Sequence, residues 1–393
     1  MTATVFRRKR TGPATHALII GVGHYPNLPG GSGKKKFPNP EGMRQLASPP
    51  ASARAIARWL IERYECPARP LASVALLTSE KSPKPFAHAS SGRNGNGPKP
   101  SKVPVAATMD AVEQAILEWR DHGNENPDHL LLFYFCGHGL AAGTERALLM
   151  ADFGAKPHAP FDGALDFRRF HSNMEECAAR HQCYFVDACR VGSELLGRNA
   201  GYAGNPVVQW TGTGTNPNGM LRLGPILYST LADAKAYAQA GKASVFADAL
   251  LESLEGAGSA DEDGPWQVRT TVLQRAVQQL MLHASQTLRI PQAQIPAGEG
   301  GFVDFPLNTV ETPRVPVFVR VEPQTMHPLA TLRCEGGSMK ERRRPDETIW
   351  RLSVPAGKYS IFAEFTNGTR KATPYIDEPV RPPYWAKPLR VQP

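Results

Sequence analysis

The sequence predicts an α/β fold, a mostly parallel sheet flanked by helices, followed by a small C-terminal all-β domain of immunoglobulin-like sandwich type. Three observations carry this reading. Short apolar runs closed by glycines alternate with stretches of helical period over residues 15–307. Two of those runs end in unusual polar residues, FCGHG and VDAC, as strand ends beside a ligand crevice do. Beyond residue 307 helical period vanishes and two-residue alternation takes over.

In order along the chain, residues 1–14 form a basic arm, expected to be disordered, with no apolar core after its positive charges to make a secretory signal. THALIIGVGHY (15–25) is a buried strand. In ASARAIARWLIERY, Ala53, Ile56, Ala57, Leu60 and Tyr64 share a helical face, and ASVALLTS (72–79) is a second strand. The polar stretch 81–104 has no apolar period and reads as a disordered or functional loop. Thr108 is a candidate cap for a helix whose face is Val112, Ala115, Ile116 and Trp119.

HLLLFYFCGHG (129–139) is a third strand and ALLMADFG a shorter one. Phe167, Phe170, Met174, Cys177 and Ala178 mark a helix leading into CYFVDAC (183–189). GPILYSTL resumes as a strand. Phe246, Ala249, Leu250 and Leu254 share one helix face, and Leu273, Val277, Leu280, Met281, Ala284 and Leu288 another. From 308 to 393, Val315, Val317, Val319 and Val321 alternate on one face, as do Tyr359, Ile361, Ala363 and Phe365. The cationic run Lys340, Arg342, Arg343 and Arg344 reads as a solvated loop.

With 393 residues, 41% hydrophobic and 21% charged, the chain suits two globular domains. No apolar stretch reaches the roughly 18 residues of a membrane span. Six cysteines without a paired framework fit a cytoplasmic, reducing setting, and no CxxC pair suggests zinc. The net charge of +9 favours acidic partners in general. Nucleic acid is not expected, because no basic residues interleave with aromatics as in a known module.

The chemistry concentrates at the two polar strand ends. His138 stands between two glycines, and Cys189 ends the neighbouring candidate strand, 51 positions later. A thiol becomes a strong nucleophile when an imidazole takes its proton, and its attack on a carbonyl needs N–H donors for the oxyanion. The backbone N–H groups of Gly139 and Cys189 are the candidates. Asp187 is out of place in a buried strand unless a ligand or partner requires it. Cys136 and Cys183 precede the dyad on the same strands and read as packing residues, and His24 as a surface-loop residue.

FYFCGHG followed by FVDACR resembles the caspase and metacaspase superfamily of cysteine peptidases in its bacterial form. ALIIGVGHY, ILYSTL and SVFADALLESL resemble further elements of that family, so the likeness covers residues 15–307. It implies a cysteine endopeptidase in which His138 is the base or thiolate partner and Cys189 forms an acyl-enzyme. It also implies that Asp187 lines the pocket for the side chain preceding the cut. An acid there suits cationic residues, Arg ahead of Lys.

Two departures stand out. Where metacaspases carry a second pocket acid, Ser52 stands here, and Arg190-Val191-Gly192 replaces their His-Ser-Gly. The calcium dependence of many metacaspases is not carried over, because their carboxylates find no match, and no other cofactor or metal is implied. Relatives often cut themselves after the nucleophile, where Arg198 offers a suitable residue. Expected partners are proteins or peptides with Arg or Lys at the cut site, and an activating protein. The resemblance also implies a latent effector of bacterial stress or antiviral defence. The rival reading is a catalytically silent scaffold, which an intact dyad disfavours.

Overall fold

The computed structural model describes residues 2–89, 102–189, 191–199, 201–212, 222–230, 241–260, 265–287, 296–299, 304–365 and 371–392. The chain divides into two compact units, Met1–Asp248 with Gln292–Asp304, and Ala249–Pro291 with Phe305–Pro393. Among the described residues no helix is long and apolar enough to cross a membrane.

The first unit contains, in chain order, β1 (Thr4–Arg7), β2 (Thr15–Val22), α1 (Pro49–Glu62), β3 (Leu71–Ser79), α2 (Met109–Asn124) and β4 (Leu130–Gly137). There follow β5 (Gly139–Ala142), β6 (Glu145–Leu149), β7 (Ala164–Asp166), α3 (Phe167–Asn173), β8 (His181–Ala188), β9 (Val191–Gly192), α4 (Glu194–Arg198) and β10 (Ile226–Tyr228). The main sheet runs β1-β3-β2-β4-β8-β10 and closes on the strand Ala297–Glu299. Its five inner strands are parallel, and both edge strands are antiparallel.

Every residue of β2, β4 and β8 is buried, as strands covered on both faces must be. The expected apolar faces of α1 (Ala53, Ile56, Ala57, Leu60) and α2 (Val112, Ala115, Ile116, Trp119) are buried as well. A smaller sheet, β7-β6-β5-β9, extends from the carboxyl ends of β4 and β8.

Several expectations need correction. Residues 4–7 are not part of a disordered arm: they pair with β3, because an open sheet edge accepts a strand even when its side chains are basic. Apart from these corrections, the compact units partition the chain otherwise than at the expected boundary of residue 307. Residues 249–291 group with the C-terminal unit, since apolar period reveals a helix but not what it packs against. Thr108 stands at the N-cap position just before α2, in extended geometry, but its side chain makes no capping hydrogen bond. The Asp152 carboxylate, distant in sequence, accepts the Met109 N–H instead, at 2.9 Å.

The helix from Phe167 ends at Asn173, short of Cys177 and Ala178. Leu254 lies in a π-helical stretch, Ser253–Ala257, in which Gly256 takes φ 148°. Residues 90–101 of the long polar loop, Arg190, Leu231 and Leu288 lie outside the described residues.

The second unit holds a three-stranded sheet formed by Ser259–Ala260, Trp266–Arg269 and Pro306–Val310, with the helix Thr270–Thr287. A three-stranded sheet (Trp350–Pro355, Arg314–Glu322, Pro388–Arg390) and a four-stranded one (Met339–Arg343, Ala330–Gly336, Gly357–Phe365, Tyr375–Val380) share one apolar core. Val315, Val317, Val319, Val321, Tyr359 and Ile361 are buried there, as their alternation predicted. Lys340, Arg342 and Arg343 lie on the edge strand Met339–Arg343 and not in a loop, and charge on an edge discourages strand addition.

Replacing Asp152 with Ala is expected to cost about 1 kcal/mol and lower Tm by about 2–4 °C, whereas Thr108→Ala is nearly silent. Thermal unfolding of the two variants checks this, and equal losses would refute the remote cap.

Candidate active site

β4 and β8 run side by side with Cys136 opposite Asp187 and Gly137 opposite Ala188. The next residue on each chain is His138 and Cys189. Further on, β5 and β9 are again parallel, with Leu140 opposite Val191. The partners differ by the same 51 positions on both sides of the gap. His138 and Cys189 therefore stand at adjoining positions on chains whose spacing in a sheet is about 4.8 Å.

The glycines flanking His138 permit this approach. A Cβ on Gly139 would lie 2.7 Å from the Cys189 carbonyl oxygen, and one on Gly137 would lie 2.9 Å from the Tyr25 hydroxyl. The Leu149 N–H donates to the His138 carbonyl at 3.0 Å, making that a hydrogen-bonded rung. By the alternation of antiparallel pairs, the following rung, Gly139 against Leu148, is not hydrogen-bonded. The Gly139 N–H accordingly points away from β6.

His138 is held at both backbone and ring. Its backbone N–H donates to the Tyr25 hydroxyl at 2.8 Å, Tyr25 is fully buried, and the two rings lie 4.9 Å apart. The ring Nε2 is 2.6 Å from the Arg44 carbonyl. A carbonyl only accepts, so Nε2 carries the proton and the neutral ring keeps its lone pair on Nδ1. Burial lowers the His138 pKa below the usual 6.5, while the Arg44 carbonyl pulls it upward. Cys189 is partly exposed. Burial, and to a lesser degree Cys136 and Cys189, raise the Tyr25 hydroxyl, whereas its bond from His138 opposes this.

Asp187 is only 2% exposed, and the hydrogen-bond donors that reach it among the described residues are neutral. Tyr134 donates to its Oδ2 at 3.1 Å, the Cys136 thiol at 3.2 Å, and the Ser244 hydroxyl donates to the same oxygen, with Ser229 adding to the set. Burial raises the Asp187 pKa above the usual 3.8, and the donors, Ser244 first, oppose the shift. Cys136 is thus more than a packing residue, while Cys183 is plain core. Ser52, also fully buried, accepts the Ser244 N–H at 2.9 Å and donates to the Ser48 carbonyl at 3.1 Å. Asp187 and Ser52 thus meet through Ser244.

Arg198 ends α4, exposed, with its Nε on the Glu194 carboxylate at 3.0 Å. Glu41 accepts the Ser193 hydroxyl at 2.6 Å and the Leu195 N–H at 2.7 Å. His24 lines a cleft of about 370 Å³ with Gln45, Arg54 and Glu80, and its Nε2 is buried without a hydrogen-bond partner. Among the described residues no group of three or more His, Cys, Asp or Glu is arranged to hold a metal ion.

Sequence reasoning missed Tyr25, Arg44, Ser244 and Glu41. Only Tyr25 had a signal, an aromatic with a polar tip just after a glycine-closed strand. Arg44 acts through its carbonyl, which no side-chain pattern reports.

Comparison with known proteins bears on the same region. The family model of the caspase domain, a peptidase family, matches residues 14–299. An uncharacterized protein of Sinorhizobium fredii, y4kE, is 25% identical over 290 residues, 72% of this chain and 80% of that protein. A probable protease of a Desulfuromonadales bacterium is 27% identical over 244 residues, 56% of this chain but 28% of that longer protein. The structure of caspase-1 from Spodoptera frugiperda aligns at a TM-score of 0.40 and 12% identity, over 76% of this chain and 94% of that one. With a caspase-domain match across most of its length, this chain belongs to the caspase-domain family of cysteine peptidases.

Proposed function

We propose that the protein is a cysteine endopeptidase that cleaves after basic residues, Arg ahead of Lys. The observation that carries this is the shared register that brings His138 alongside Cys189 at one sheet end. In the proposed cycle His138 Nδ1 takes the Cys189 proton, and the thiolate attacks the peptide carbonyl. Charge on the ring is then stabilised by the Arg44 carbonyl at Nε2. The Gly139 and Cys189 N–H groups receive the oxyanion, His138 returns the proton to the leaving amine, and water hydrolyses the acyl-enzyme.

The proposed basic preference rests on Asp187 as the acid at the pocket floor. A guanidinium reaching it would displace the Ser244 hydroxyl and replace a neutral donor with a charged, bidentate one. Ser52 supports Ser244 rather than adding a second charge. By resemblance alone, the proposed setting is cytoplasmic, as a latent effector of stress or antiviral defence released by a protein partner or by cleavage.

Release of a fluorophore from Arg-, Lys- and Asp-terminated peptides tests the proposal. Turnover is expected on Arg most, and none with Cys189→Ala. Asp187→Asn is expected to cut kcat/KM on Arg about 100-fold, the loss of roughly 3 kcal/mol from an unpaired buried cation. Preference for Asp-terminated peptides would overturn the assignment.

The pH profile follows from His138. Its lowered pKa keeps the ring neutral, and able to accept a proton, to lower pH than a free imidazole. The acid limb of kcat/KM is expected below 6.5, and a limb above that value contradicts His138 as the base.

Self-cleavage at Arg198 is the finer part of the proposal. Purified protein is expected to yield two fragments joined at that residue, and Cys189→Ala a single band. Identical intact bands in both end this part.

A further inference from the structure

At the opposite end of the main sheet lies a cleft of about 500 Å³ that the proposed peptidase chemistry does not use. It sits at the amino ends of β2, β3 and β4, whereas His138 and Cys189 follow carboxyl ends. With eight residues in β4, the two places are roughly 25 Å apart.

One wall is cationic: Arg7, Arg8, Lys9 and Arg10 line it in succession. They are not a loose tail. β1 is paired into the sheet, the Arg8 N–H donates to the Ala72 carbonyl at 2.7 Å, and Arg10 Nε donates to the Leu71 carbonyl at 3.2 Å. Past the arm, the Ala14 N–H donates to His129 Nδ1 at 2.8 Å. Both ends of the cationic stretch are anchored, so little order remains to be gained on binding.

The floor is aromatic. The His16 and His122 rings stack at 4.7 Å, and the His129 ring stands edge-on to His16 at 4.9 Å. Since a backbone amide only donates, His129 Nδ1 accepts and its Nε2 carries the proton. Burial lowers His16 to about 3 and His129 below its usual value, so both rings are neutral near pH 7. The far wall holds Glu125 and Asn126. Glu125, which pairs with His122 at 3.1 Å, would repel a bare polyanion but accepts from amino or hydroxyl groups.

Cations at one end, flat rings below and an acceptor at the other end describe a ligand with matching parts. The volume exceeds that of a phosphate group and falls in the range of small-molecule sites. We propose that this cleft binds a nucleoside polyphosphate, its phosphates on the Arg7–Arg10 wall and its ring over the imidazoles.

Calorimetric titration of full-length Cys189→Ala protein with ATP, tripolyphosphate and adenosine, at physiological salt, tests this. ATP is expected to bind one to one and more tightly than either fragment. Adding Arg8→Ala and Lys9→Ala, both exposed, should weaken ATP at least about tenfold, or 1.4 kcal/mol, with Tm unchanged. Tripolyphosphate binding as tightly as ATP would remove the ring from the site and overturn the assignment. So would absence of saturable binding, indifference to the two substitutions, or displacement of ATP by equimolar duplex DNA.

Discussion

The parallel register between β4 and β8 is the constraint on which the rest depends. Side chains in a sheet alternate with a strict period of two, so a slip of one residue would turn one member of the pair to the other face. Here the offset of 51 holds before the gap, at Gly137 and Ala188, and after it, at Leu140 and Val191. Two complete sets of buried side chains, those of β4 and β8, specify that offset. A slipped register would exchange the two buried faces and misfit Leu and Phe side chains in a packed core, at about 1–3 kcal/mol for each overpacked position. The position of the thiol is therefore a property of the hydrophobic core.

The same register places Asp187 opposite Cys136, deep in that core, where an ionised carboxylate is costly. Neutral donors from Ser244, Cys136, Tyr134 and Ser229, each worth about 1.5–3 kcal/mol to a charged acceptor, offset part of the desolvation. Its pKa nevertheless lies above the ordinary aspartate value, so burial outweighs the donors. A carboxylate kept in that condition is poised to gain from a cation, because a guanidinium supplies the compensation that hydroxyls and a thiol do not. On the proposed reading the pocket is incomplete until substrate arrives.

Much of this architecture was legible because buried parallel strands write themselves as continuous apolar runs, and because a His between glycines and an acid two places before a Cys break those runs conspicuously. What stayed hidden follows a physical pattern. β1 has no apolar signature, since its pairing is backbone to backbone at an edge. The cap on α2 comes from Asp152, 43 positions from Met109, and local pattern pointed to Thr108 instead. The Arg44 carbonyl and the Ser244 hydroxyl act through the chain's path, which tertiary structure sets. Residues 273–288 show helical period plainly, yet period is silent on which unit a helix joins.

The excursion between β2 and α1 ties these parts together. Arg44 on it holds the His138 ring, and Glu41 on it caps the start of α4, just past Cys189. Glu41 adopts φ 46°, a left-handed conformation costing a residue with a Cβ about 1–3 kcal/mol. Its two carboxylate hydrogen bonds, to the Ser193 hydroxyl and the Leu195 N–H, oppose that strain. Ser193 reinforces it by accepting the Leu196 N–H at 2.9 Å while donating to Glu41. Arg198 is therefore held in a capped helical turn, whereas a peptidase groove takes an extended chain. Self-cleavage there, as proposed, requires α4 to unwind, and unwinding breaks the Glu41 clamp. Because Glu41 and Arg44 lie three positions apart in the same segment, freeing the first would also loosen the support of the His138 ring. On the proposed reading, processing at Arg198 and the support of His138 are coupled through the backbone from Glu41 to Arg44.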